Sequence, residues 1–99
     1  MANNPTGLLG SELDKLRVQA VWNKGREIPG YDRNVWRYDD DGNVIRRDEY
    51  GKTDSQHGWQ IDHVIASAIG GMDVYGNLRP LHYKGNASRG GLLAALLRK

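Results

Sequence analysis

Apolar positions in this chain recur at two spacings, and the change from one to the other marks where helix gives way to sheet. Leu13, Leu16, Ala20 and Val21 follow the i, i+3, i+7, i+8 spacing of one helical face. Ser11 can cap that helix, with Asp14 three residues on as a weaker form of the capping box, and Asn23-Lys24-Gly25 supplies the stop. Residues 1–10 are polar and interrupted by Pro5 and Gly7, so a flexible arm is expected there. Residues 25–32 read as loop, with a turn at Ile28-Pro29-Gly30. Val35-Trp36-Arg37-Tyr38 and Asn43-Val44-Ile45-Arg46 then read as two short strands. The turn Asp40-Asp41-Gly42-Asn43 joins them as a hairpin, because Asp-Gly and Gly-Asn tolerate positive φ.

Residues 49–58 are polar loop. From Trp59 to Val64 the spacing changes to two, with Trp59 and Ile61 alternating against Gln60 and Asp62, which predicts a strand. Residues 67–76 are a glycine-rich excursion in which Gly70-Gly71 lets the chain double back. Residues 78–81 form a second short strand, and Tyr83 starts a helix. Strand, loop, strand, helix is a ββα unit. Leu92-Leu93 and Leu96-Leu97 form a terminal apolar patch, read either as a last helix packing on the Leu13/Leu16 helix or as a dimer contact. The predicted fold class is α+β, with one domain over residues 11–99.

Composition adds limits. A chain of 99 residues makes one domain with a modest core. Its longest apolar run, residues 92–97, is far too short to span a membrane, and no signal peptide is recognisable, so a cytoplasmic protein is expected. With no cysteine, neither a disulfide framework nor a Cys-ligated zinc is available, and any metal must be held by oxygen and imidazole nitrogen. The net charge of +2 is unevenly placed. From residue 55 onward five basic residues (Arg79, Lys84, Arg89, Arg98, Lys99) face two acids, Asp62 and Asp73, which suits a polyanionic partner. Asp39-Asp40-Asp41 concentrates acid in the hairpin turn, either as an exposed turn or as a cation site.

Four polar residues at the seams of the ββα unit carry the candidate chemistry: Asp62-His63, Asn77 and Asn86. An acid, an imidazole and two carboxamides can hold one hard metal ion beside a water-activating base. They sit within Tyr50-Gly51, Gly58-Trp59-Gln60-Ile61-Asp62-His63-Val64-Ile65, Gly70-Gly71, Asn77-Leu78-Arg79-Pro80-Leu81-His82 and Asn86-Ala87-Ser88-Arg89-Gly90. The gaps are 14 residues from His63 to Asn77 and nine from there to Asn86. In that order and spacing, residues 49–90 resemble an HNH endonuclease domain, the ββα-metal nuclease fold, over roughly 40 of the 99 residues.

The resemblance implies a ββα-metal core, carrying here an N-terminal helix, an added β-hairpin and a short C-terminal helix. It implies a divalent-metal-dependent DNA endonuclease that leaves 5′-phosphate and 3′-hydroxyl ends. Asp62 and Asn86 match the family's ligands for one Mg²⁺ or Mn²⁺, the carboxylate preferred by a hard cation and the neutral amide leaving the ion's charge for the phosphate. His63 matches the general base, an imidazole being largely neutral at working pH. Because neighbouring strand residues point to opposite faces, the backbone is expected to bend between Asp62 and His63. Asn77 is expected to brace the backbone near His63 through its carboxamide. Arg79, Lys84 and Arg89 are placed to meet phosphates, and His82, four residues before Asn86, is either a phosphate contact or extra ligand or else a structural residue. His57 is expected on the loop surface, and Trp36 and Trp59 as core anchors rather than base-stacking platforms. Tyr83 replaces a common Trp and Gly91 a common acidic residue, changes that bear on the DNA surface. A single site on a small monomer is expected to nick duplex DNA; the alternatives are an inactive ββα DNA-binding module and an RNA-directed nuclease.

Overall fold

The computed structural model describes residues 10–66 and 70–84 of the chain. Their elements run α1 (Gly10–Trp22), β1 (Arg26–Glu27), β2 (Trp36–Tyr38), β3 (Val44–Arg46), a 3-10 turn at Arg47–Glu49, β4 (Trp59–His63), a second 3-10 turn at Tyr75–Asn77 and β5 (Leu78–His82). Among the described residues this is a small α+β fold of one helix and two antiparallel sheets, β1-β2-β3 and β4-β5. Tyr83 and Lys84, directly after β5, are helical. The terminal leucine patch lies outside the described residues.

Helix α1 ends where expected, with Lys24 N–H on Val21 O at 3.0 Å and Gly25 N–H on Trp22 O at 2.9 Å. Its buried face is the expected one only in part. Val18, Val21 and Trp22 are buried, whereas Leu13 and Leu16 are 45% and 60% exposed. Only the last turns of the helix lie over the sheets, and there Val21 is buried as the spacing predicts, joined by Val18 and Trp22, which the spacing did not include. Trp22 meets Trp59 at the centre of the core, with ring centroids 5.3 Å apart and planes tilted by 45°. Both indoles are fully buried, and Ile45, Val18, Val21 and Leu78 close around them. Each such side chain contributes on the order of 1.5–3 kcal/mol by leaving water.

Residues 25–32 contain a strand as well as a loop: Arg26 pairs with Tyr38 and Glu27 with Arg37. Two exposed charged residues carry no periodicity, so β1 left no trace in the hydrophobic pattern. The β2–β3 hairpin pairs Trp36 with Arg46 and Tyr38 with Val44, and Gly42 takes φ +85° in its turn. Trp59 is a core anchor, but Trp36 is not. It lines a hollow of about 220 Å³ on the sheet with Ile28, Tyr31, Tyr38 and Val44. Its ring stands perpendicular to that of His57, with centroids 5.1 Å apart, and His57 is half-buried with Nδ1 3.1 Å from Val44 O.

The β4–β5 hairpin is regular from Trp59↔His82 to His63↔Leu78. Bonds from Tyr83 N–H to Gly58 O (3.1 Å) and from Val64 N–H to Asn77 O (2.8 Å) set its phase. Pro80 therefore falls on a pair without ladder bonds, where its missing N–H costs nothing. His82 falls on another such pair, and its outward N–H is taken by Asp39 Oδ2 at 2.9 Å. That bond fastens the first sheet to the second.

Candidate functional site

The two central candidates occupy the last two positions of β4. Asp62 stands directly across from Arg79 on β5, and paired residues share a face. Arg79 Nε donates to Asp62 Oδ2 at 3.1 Å, and its Nη1 donates to Asp40 Oδ2 at 3.3 Å. The guanidinium thus joins β4 to the turn of the β2–β3 hairpin. Its side chain is 14% exposed and that of Asp62 18%. Burial works against the charge of Arg79, yet the bonds to Asp62 and Asp40 outweigh it and hold its pKa above the ordinary arginine value.

His63 leaves the opposite face. Pairing runs unbroken through His63↔Leu78, so the bend expected between Asp62 and His63 is not there. The physical reason is Asn77: its backbone carbonyl takes Val64 N–H and extends the ladder one residue past His63. The imidazole points with Trp59 and Ile61 toward the α1 side, where Nε2 lies 3.3 Å from Asp73 Oδ1. Arg17 of α1 meets the same oxygen at 2.5 Å.

Asn77 ties the loop that follows. Its Oδ1 accepts from Ile65 N–H at 2.8 Å, and its Nδ2 donates to Ile65 O at 3.0 Å and to Met72 O at 2.8 Å. The two bonds to Ile65 lie two residues beyond His63 and fix where the chain leaves β4, and the third holds the returning loop at Met72. Gly70 adopts φ +98°, and a Cβ on Gly71 would lie 1.7 Å from Ile65 O, so only glycine lets the returning loop pass.

The phosphate candidates separate. Arg79 is engaged as described, and Lys84 is exposed at the start of the helical turn. His82 is buried and satisfied: Nδ1 accepts Lys84 N–H at 2.8 Å, and Nε2 therefore donates to Gln56 O at 2.7 Å. With both ring nitrogens on main chain, His82 is a clamp between the hairpin and the 50s loop rather than a phosphate or metal contact. Tyr83 is pushed up from its ordinary pKa by burial, with the neighbouring Tyr50 adding to it. Asn86 and Arg89 lie outside the described residues.

Comparison with protein-family models, curated proteins and solved structures found no match.

Among the described residues no three His, Asp or Glu side chains converge on a possible metal position. The expected ligand pair is only half described, and that half suits a hard cation: Asp62 offers carboxylate oxygen and already holds a cation, the Arg79 guanidinium, against one oxygen. Three neighbours were missed from sequence: Asp40, Asp73 and Arg17. Asp73 had a signal, as one of only two acids in the basic half of the chain. Asp40 stood in the acidic turn already noted as a possible cation site, but its partner could not be foreseen, and Arg17 had no signal, because tertiary packing alone brings the partners together across 39 and 56 residues.

Proposed function

We propose that this chain is a divalent-metal-dependent DNA endonuclease of the HNH type, acting as a cytoplasmic monomer. The observation that best supports this is the β4–β5 hairpin with Asp62 and His63 at its loop end, its exit held by Asn77 and its last strand running into the helical residues Tyr83 and Lys84. Antiparallel pair followed by helical backbone is the order a ββα core requires. Among the described residues no helix is long and apolar enough to cross a membrane.

Asp62 and Asn86 would hold the ion. When bound, a divalent cation supplies charge to the phosphate and to the departing 3′ oxygen. His63 takes the proton of the attacking water. Its Nε2 faces Asp73, so the lone pair of Nδ1 is the acceptor. The new bond joins water oxygen to phosphorus, the phosphorus–O3′ bond breaks, and solvent protonates the 3′ oxygen, giving 5′-phosphate and 3′-hydroxyl ends. Asp62 and His63 leave opposite faces of β4, so in this mechanism a scissile phosphate reaching both would have to lie at the loop end of the hairpin, where β4 stops. Lys84 and Arg89 meet flanking phosphates.

The test is supercoiled plasmid with Mg²⁺, Mn²⁺ or EDTA. Metal-dependent conversion to open circle before linear product is expected, and His63→Ala should reduce the rate by at least a hundredfold with the fold intact. DNA retention without metal-dependent cutting would instead identify a binding module, and cutting of RNA alone an RNA-directed nuclease. Full activity in His63→Ala removes the base assignment.

A further inference from the structure

We propose that Arg79 is a resident counter-ion that competes with the divalent ion for Asp62, and that Asp40 sets how firmly it competes. This rests on the assignment of Asp62 as a metal ligand. The guanidinium is forked between two carboxylates from separate elements, Asp62 on β4 at 3.1 Å and Asp40 in the β2–β3 turn at 3.3 Å. Asp62 and Arg79 are direct cross-strand partners with side chains 18% and 14% exposed, so solvent and salt screen their attraction poorly. A fixed positive charge in contact with a ligand oxygen opposes a second cation there.

When an ion takes Asp62, Arg79 loses one of its two partners. A phosphate arriving with the ion offers that half of the planar guanidinium replacement acceptors in its own oxygens. Arg79 then passes from carboxylate to substrate, coupling ion loading to phosphate binding. Asp40, 55% exposed, keeps its hold and aims the side chain. The β2–β3 hairpin, outside the 49–90 motif, thereby acquires a part in the site.

Mn²⁺ binding to the full chain, read by isothermal titration without DNA, tests this independently of cleavage. Arg79→Gln should bind Mn²⁺ about tenfold more tightly than the parent, since it removes a like charge in direct contact with a ligand. Asp40→Asn should bind a few-fold more weakly, because Arg79 then belongs to Asp62 alone. Arg33→Gln, which removes the same charge from an exposed pair with Glu27 at 3.7 Å, should change affinity less than twofold. Opposite shifts in the first two variants are not what a merely structural role gives, since structural damage weakens both. Parent binding with Arg79→Gln equal or weaker overturns the counter-ion role and leaves the endonuclease proposal standing, as does an equal gain in Arg33→Gln. If Arg79→Gln does not fold, an unchanged or tighter Asp40→Asn overturns it. No Mn²⁺ binding in either parent or Arg79→Gln removes the metal assignment itself.

Discussion

Asp39, Asp40 and Asp41 are chemically identical in the sequence, and the fold gives them different work. Asp39 is 1% exposed. Its Oδ1 accepts from Asp41 N–H at 3.0 Å and Asn43 N–H at 2.8 Å, closing the hairpin turn, while Oδ2 accepts from His82 N–H in the other sheet. Asp40 holds Arg79 and is mostly in water. Two residues before Asp39, buried Arg37 follows the same logic with the opposite sign. Its guanidinium donates to the carbonyls of Arg33, Asn23 and Gly25 at 3.0, 3.2 and 2.8 Å. Each charge is satisfied by main chain, and deleting it leaves buried backbone groups unpaired. A hydrogen bond to a charged group contributes about 1.5–3 kcal/mol, and an orphaned buried partner costs a further ~1–3. Asp39→Ala and Arg37→Ala are therefore each expected to lose about 2–4 kcal/mol in urea unfolding. Asp40→Ala should lose no more than about 1 kcal/mol, as an exposed partner does. Equal losses at Asp39 and Asp40 would contradict the division of labour.

At the scale of elements, the loop from β4 to β5 decides how the hairpin end is held. Three hydrogen bonds from one carboxamide and one glycine that nothing larger can replace define it. Asn77→Ala should cost about 1–3 kcal/mol and speed amide exchange at Ile65, whose N–H loses its acceptor. Gly71→Ala must move backbone, because the obstructing atom is the Ile65 carbonyl rather than a flexible side chain. Both variants should lower nicking with little change in global secondary structure; unchanged exchange at Ile65 would remove Asn77 as the brace. The same elements show what could be read in advance. Strand β4 was legible because alternation records its inward face, Trp59 and Ile61 against Gln60 and Asp62, whereas β5 buries Pro80, Leu81 and His82 in succession and shows no such alternation. Gly70-Gly71 was legible because positive φ and close approach have one chemical solution. Strand β1 was not, being two exposed residues whose partner is a neighbour in space. The packing face of α1 was misread in part because Leu13 and Leu16 share the helical spacing yet lie beyond the sheets. Among the site residues, the motif exposed Asp62, His63 and Asn77, but the direction of each side chain depended on where the ladder stopped.

At the scale of the whole molecule, two small sheets must be held as one body, and the segment from β3 to β4 is the chain that crosses between them. Trp59 Nε1–H bonds Arg46 O at 2.9 Å, Arg46 N–H bonds His57 O at 3.1 Å, and Tyr50 bridges Trp59. Within that crossing, Glu49 accepts from the Ser55 hydroxyl and pairs with Lys52 Nζ at 3.3 Å, folding the loop on itself. A Cβ on Gly58 would lie 1.9 Å from Lys52 O, so the loop closes tightly at its far end too. The hydrogen bond from Ser55, then that from Lys52, lowers the Glu49 pKa below its ordinary 4.5. A carboxyl group with a lowered pKa in the folded state stabilises above its unfolded pKa and loses that contribution as pH falls through the folded value. Glu49→Gln, which keeps shape and one acceptor oxygen but no charge, should therefore melt below the parent at pH 7. The gap should narrow from about pH 4.5 downward and close once Glu49 in the parent is protonated, since the two chains then carry the same charge there. Melting temperature against pH for the two proteins reads this directly. A gap that persists undiminished to about pH 2 would mean that the loop is held by side-chain shape, not by the Glu49 charge. Closure would show that the Glu49 charge holds this crossing and that its hold is lost in acid.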